Sequence, residues 1–204
     1  MLNKNCVCSW PVGKVFIISA PAGAGKTTLA KKLVTAFSNV AIAPTLTTRN
    51  PREGEIQGED YFFVTRQEFQ SRISHGDLLE YIEMHGELYG TLSQEVDTRR
   101  RSGQHVLLVI DTRGALALEK QLDAVLIFIH PPSEKELRSR LTTRNSESDT
   151  SLSKRLQWAP HELQESSKFH YQIINDDLEE AFTVLSSIVI AESHRTHNHG
   201  VVHA

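Results

Sequence analysis

Apolar positions along this chain fall into two patterns. Unbroken apolar runs bounded by polar or turn residues occur in KVFIIS (14–19), VLLVID (106–111) and AVLIFIH (124–130), and YQIIND (171–176) reads as a further, shorter strand. Runs without polar alternation are expected of parallel strands buried on both faces. Between them, apolar residues recur at helical spacing in TTLAKKLVTAF (27–37), TRGALALEKQL (112–122), SEKELRSRL (133–141) and LEEAFTVLSSIVIAESH (178–194). Strand followed by helix, repeated, predicts an α/β fold with a parallel sheet covered by helices on both sides.

Two stretches depart from this rhythm. In 46–92, DYFFV (60–64) and LLEYIEMHGELYGTL (78–92) read as short strands around one helix, TRQEFQSRISHG (65–76). This predicts a small, partly antiparallel lobe inserted in the parallel core. The segment LTTRNSESDTSLSKRL (141–156) is polar and short of apolar anchors, and is expected to form a mobile cover. The expected organisation is one domain over 13–195. Its core comprises 13–45, 93–140 and 157–195, its lobe 46–92 and its lid 141–156, with tails at 1–12 and 196–204. No internal repeat stands out, and HRTHNHGVVHA (194–204) reads as a frayed tail.

The chemistry begins after the first strand. Ala20-Pro21-Ala22-Gly23-Ala24-Gly25-Lys26-Thr27, followed by Thr28, matches a phosphate-binding loop at every fixed position but the first, where glycine is usual. Such a loop wraps phosphates with backbone N–H groups and aims a helix N-terminus at them. Lys26 adds a positive charge and Thr27 a hydroxyl for Mg²⁺. Alanine at position 20 is compatible with close backbone approach unless the site needs a left-handed conformation. Downstream, TLTTRNPREGEIQGEDYFFV (45–64) sets Arg49, Arg52 and Tyr61 around a glycine-rich turn, a grouping suited to clamping a terminal phosphate. Glu80, Tyr89, Gly90 and Thr91 fall in the same lobe.

Composition narrows the alternatives. With 204 residues, 39% hydrophobic content and a net charge of −3, the chain can bury a substantial core and carries no bulk signal for nucleic-acid binding. No stretch is long enough to span a membrane, and MLNKNCVCSWPVG has no apolar run of the signal-peptide kind. Cys6 and Cys8 make neither a disulfide framework nor a four-ligand zinc site, consistent with a reducing, cytoplasmic setting. His194, His197, His199 and His203 lack the fixed geometry of a metal site. Trp10 and Trp158 are read as packing residues, and Arg99-Arg100-Arg101 as a solvated helix end.

Together these features resemble the guanylate kinase family. The likeness runs from Gly13 to Glu192 and rests on the loop, TTRNPREGEIQGEDYFF, LLEYIEMHGELYGT, VIDTRG and IINDDLEEA. The resemblance implies a P-loop nucleoside monophosphate kinase with a GMP-binding lobe and a helical lid, transferring phosphate from ATP to GMP, and to dGMP, with Mg²⁺. It implies that Ala20 to Thr28 bind ATP, with Lys26 and Thr27 at the phosphates and metal, and that Asn175 lies where the family approaches the adenine. It assigns Arg49, Arg52, Tyr61 and Tyr89, beside Gly90, to the GMP phosphate. Thr45, Glu80, Thr91 and Asp111 correspond to guanine-reading positions, and Arg140, Arg144 and Arg155 to arginines that close on the transferring phosphate. The family usually carries an acid where Val109 stands and a glutamine where Arg113 stands.

The implied chemistry is self-consistent. A nucleoside monophosphate has a second pKa of about 6, so at neutral pH it attacks without a general base. Alignment, charge neutralisation and exclusion of water suffice. Guanine presents two adjacent donors that one carboxylate such as Glu80 can accept, and sites of this kind discriminate by about 10⁴-fold or more. Two other readings compete: a guanylate-kinase-like module that binds phosphorylated peptide, and a P-loop kinase for another small acceptor such as a ribose phosphate. Lys26, Thr27 and the lid arginines argue against the first, and Glu80 with the arginine–tyrosine cluster against the second. ATP and GMP are the expected partners; no nucleic acid, membrane or obligate protein partner is expected.

Overall fold

A computed structural model describes residues 12–84, 86–119, 121–143 and 149–195, the side chains of 143 and 149–155 excepted. Its core is a parallel sheet of β1 (Val15–Ser19), β2 (Val40–Ile42), β7 (His105–Val109), β8 (Ala124–His130) and β9 (Tyr171–Ile174), ordered β2-β7-β1-β8-β9. Alternate residues of β1 point to opposite faces. Phe16 and Ile18 join one buried cluster with Leu29 and Leu33 of α1 (Lys26–Ala36) and Leu185 and Val189 of α7 (Leu178–Ser193). Val15 and Ile17 join another with Val96 of α3 (Ser93–Arg101) and Ala115 and Leu118 of α4 (Thr112–Glu119). Burial on both faces explains why β1, β7 and β8 read as continuous apolar runs, whereas β9 at the sheet edge leaves Gln172 and Ile174 exposed.

The inserted lobe has its own sheet. β4 (Tyr61–Phe63) pairs parallel with β3 (Thr45–Thr47), which pairs antiparallel with β6 (Glu87–Leu92), and β6 antiparallel with β5 (Leu78–Met84). Leu46, Phe69 and Leu88 form its small core beneath α2 (Arg66–His75). That helix starts at a reciprocal cap, in which Thr65 accepts from the Glu68 N–H and Glu68 accepts from the Thr65 N–H, and it ends at Gly76 in a left-handed conformation. An ion pair of 2.6 Å between Lys31 of α1 and Asp60 joins core and lobe.

The remaining α-helices among the described residues are α5 (Glu134–Thr143) and α6 (Asp149–Glu165), the latter followed by a 3-10 turn, Ser166–Lys168. The segment expected to be a polar cover thus contributes the end of one helix and the start of another, and the expected lid boundary at 156 falls inside α6. The physical reason is an apolar stripe that continues past that boundary. Leu156 and Ala159 pack with Leu137 and Leu141, and Leu163 packs on the main core. Arg100 is not simply solvated: its Nε donates to the Gly13 carbonyl at 2.9 Å and fixes the entry to β1.

Candidate active site

A cavity of about 310 Å³ opens at the carboxyl ends of β1 and β7, between core and lobe. On one side it is lined by Pro21, Ala22, Gly23, Lys26 and Thr27. Gly23 (φ 87°) and Gly25 (φ 98°) take the left-handed conformation that glycine adopts without steric cost. Ala20 is fully buried in the core cluster that holds Leu29 and Ile127, so its methyl group fills core space outside the cavity. Lys26 Nζ donates to the Ala20 carbonyl.

The other side gathers side chains from distant segments. Arg49 donates to Glu55 at 2.9 Å and to the Asn50 carbonyl at 2.6 Å, and its guanidinium lies 5.1 Å from the Tyr61 ring centre. Burial alone would lower the Arg49 pKa, but the Glu55 carboxylate raises it above the usual arginine value. Burial alone would raise the Glu55 pKa, yet bonds from Arg49 and the Arg52 N–H hold it below the usual carboxylate range. Glu55 thereby shapes the turn that carries both arginines. Burial pushes the Tyr61 hydroxyl upward.

Glu80 is 9% exposed at this wall. Its Oε1 accepts from the buried Thr91 hydroxyl at 2.7 Å, and burial, with Asp111 adding repulsion against the Thr91 bond, pushes its pKa up to about 7. Gly114 makes room for it, since a Cβ there would lie 3.0 Å from Glu80 Oε2. Asp111 Oδ1 accepts from the N–H groups of Arg113 (2.7 Å) and Gly114 (3.0 Å), which starts α4 beside the pocket.

Of the residues expected from sequence, Pro21, Ala22, Gly23, Lys26, Thr27, Thr45, Arg49, Arg52, Tyr61, Glu80, Tyr89 and Asp111 line this one cavity. Thr91 acts on it through Glu80. Ala20, Ala24, Gly25 and Thr28 complete the loop without lining the cavity. Gly90 is packed between the Glu80 backbone and Phe69, where a Cβ would meet Phe69 at 3.1 Å. Arg140 is not among the residues that line the cavity; it donates to Glu136 at 2.9 Å and to the Asn175 carbonyl at 3.1 Å. The Asn175 amide donates to the Ala24 carbonyl at 2.8 Å. Arg144, the Arg155 side chain, Trp10, Cys6, Cys8, His197, His199 and His203 lie outside the described residues.

Val109 also lines the cavity and presents a hydrocarbon at the end of β7. A third wall escaped the sequence reading. Trp158, His161, Glu162 and Glu165 of α6 line the cavity. Trp158 is 47% exposed, not a core residue, and the Arg113 guanidinium sits 5.4 Å from its ring centre. The spacing of these four residues, one face of a helix, was the available signal.

Comparison with known proteins bears on the whole chain. A family model described as guanylate kinase matches residues 12–192. The chain is 50% identical over 183 residues to a guanylate kinase of Protochlamydia amoebophila, covering 90% of this chain and 93% of that one. It is 50% identical over 185 residues to a guanylate kinase of Chlamydia felis, covering 90% and 91%. The crystal structure of guanylate kinase from Anaplasma phagocytophilum superposes with a TM-score of 0.77 at 34% identity, covering 91% of this chain and 89% of that chain. A P-loop in an α/β core, facing a buried carboxylate and an arginine–tyrosine cluster, agrees with these matches, and the chain belongs to the guanylate kinase family.

Proposed function

We propose that this protein transfers the terminal phosphoryl group of ATP to GMP, giving ADP and GDP, as a cytoplasmic enzyme of purine nucleotide metabolism. The observation that carries the reading is Glu80, a buried carboxylate held by Thr91, given space by Gly114, and facing the cavity that Lys26 and Thr27 also line. One carboxylate accepting from guanine N1–H and the adjacent amino group selects guanine over adenine, which would meet it with a lone pair. Thr45, Thr91 and Asp111 complete that pocket. Arg49, Arg52, Tyr61 and Tyr89 take the GMP phosphate, and the deoxyribose of dGMP leaves these contacts unchanged.

On the donor side, the loop backbone and Lys26 bind the ATP phosphates and hold them in line with the attacking oxygen. Thr27 is exposed and lines the cavity, and its hydroxyl suits a hard cation, while the Val109 side chain offers no oxygen and no metal-binding cluster of acidic, His or Cys side chains occurs among the described residues. These donors fit Mg²⁺ held by Thr27 with nucleotide oxygens and water; when bound, the ion supplies neutralisation of phosphate charge. Arg140, Arg144 and Arg155 are proposed to close on the transferring group. A binding-only module has no need of Lys26 and Thr27 beside the acceptor cluster. Chromatography of a reaction containing ATP and GMP tests the reading: ADP and GDP must appear together in equal amounts, and ADP without GDP would overturn it.

A further inference from the structure

The phosphate-binding loop is held from behind by Asn175. Its side chain is buried (5% exposed), and its Nδ2 donates to the Ala24 carbonyl at 2.8 Å. The approach depends on the next residue being glycine, because a Cβ on Gly25 would lie 2.2 Å from that nitrogen. Asn175 is itself tethered twice through its backbone. Its N–H donates to the His130 carbonyl at the end of β8 (2.8 Å), and its carbonyl accepts from Arg140 of α5 (3.1 Å). On its other flank the loop rests on α5, where a Cβ at Gly23 would meet Leu141 Cγ at 3.0 Å.

A phosphate cradle works only while its N–H groups face the ligand and its carbonyls face away. Across a trans peptide the C=O and the following N–H point in opposite directions, and no peptide here is cis. With the Ala24 carbonyl directed at Asn175, the Gly25 N–H of the same peptide points away from Asn175. We propose that Asn175 is a positioning residue for phosphoryl transfer, fixing the Ala24–Gly25 peptide so that the loop presents its N–H to the donor phosphates, rather than a contact for adenine. Through Arg140 the same residue ties the loop to α5. The proposal rests on the donor role of the loop given above.

The test uses the full chain with Asn175→Ala and Asn175→Asp, the latter keeping the shape but setting an oxygen against the Ala24 carbonyl. Calorimetry with magnesium tripolyphosphate, which has no base, is compared with the KM for ATP and for GMP. Both variants are expected to lose about ten-fold or more in affinity for tripolyphosphate. ATP should lose by the same factor, while the KM for GMP stays unchanged. A loss confined to ATP would make Asn175 an adenine contact, and wild-type affinity in Asn175→Asp would remove the peptide from its control; either overturns the proposal. If Asn175→Ala does not fold, slow solvent exchange of the Asn175 side-chain amide in the unaltered protein keeps the question decidable, and fast exchange contradicts the inference. Wild-type turnover of GMP tests the proposed function separately, since tripolyphosphate binding does not involve the acceptor.

Discussion

On the proposed donor side of the cavity one loop, Pro21 to Gly23 with Lys26 and Thr27, supplies the lining, whereas the proposed acceptor side is gathered from β3, the turn carrying Arg49 and Arg52, β4, β5, β6 and the end of β7. The donor side is mainly backbone, its shape set by two left-handed glycines and the core beneath. The acceptor side is mainly side chains, each polar group held by another, as Glu80 by Thr91 and Arg49 by Glu55. Backbone N–H groups recognise charge and have no proton to lose near neutral pH. A buried carboxylate recognises a base and titrates. The two halves should therefore fail in different ways.

The largest separation is expected from Lys26→Ala. Turnover should fall about 1,000-fold through loss of charge stabilisation, while GMP binding measured by calorimetry stays near wild type. Loss of both together would mean that the halves are not independent. Glu80→Gln should do the converse. It replaces an acceptor of two hydrogen bonds with a mixed donor and acceptor, and kcat/KM for GMP should fall about 100-fold with the KM for ATP unchanged.

A pH profile sharpens the same contrast. Glu80 holds its proton up to about pH 7 in the free protein, whereas the proposed guanine contact requires the ionised form. GMP binding near neutrality should release protons, and GMP affinity should fall by up to about ten-fold per pH unit below 7. Tripolyphosphate affinity should show no such step centred on the Glu80 pKa, and Glu80→Gln should flatten the GMP curve. For stability the sign is opposite. The unfolded chain releases this proton near 4.5 and the folded protein near 7, so this group makes the ligand-free fold progressively less stable as pH rises through that window. Gly114→Ala gives the smallest effect. The added methyl meets a side-chain carboxylate that can yield slightly, so the KM for GMP should rise about three-fold, roughly 0.6 kcal/mol, with donor kinetics unaltered.

Legibility in the sequence followed the same divide. The donor loop is contiguous, so its spacing alone identifies it, and strands buried on both faces announce themselves as apolar runs. The cavity-lining residues Arg49, Arg52, Tyr61, Glu80 and Tyr89 were named through motifs, but nothing local said that Gly114 makes space for Glu80, because those residues meet only in the fold. The α6 wall was hidden for another reason. Only its start, up to 156, reads as a polar cover; 157–165 carries polar or half-exposed residues on its cavity face, so no helix was expected there although Leu156, Ala159 and Leu163 are apolar at helical spacing. The edge strand β2 has three residues, too few to set a pattern. Asn175 was named only through the resemblance, and the direction of its amide, toward Ala24, depends on the absence of a side chain at Gly25.

The most direct test of the account is a coupled ADP-release assay with ATP as donor and GMP, AMP or a ribose phosphate as the competing acceptor, run at pH 8 where Glu80 is ionised. All three carry a phosphate for the proposed Arg49–Arg52 site, and only GMP offers two adjacent donors to Glu80. The account predicts kcat/KM for GMP at least about 10⁴-fold above the other two. Comparable turnover of AMP, or no turnover of GMP beyond background ATP hydrolysis, would contradict it.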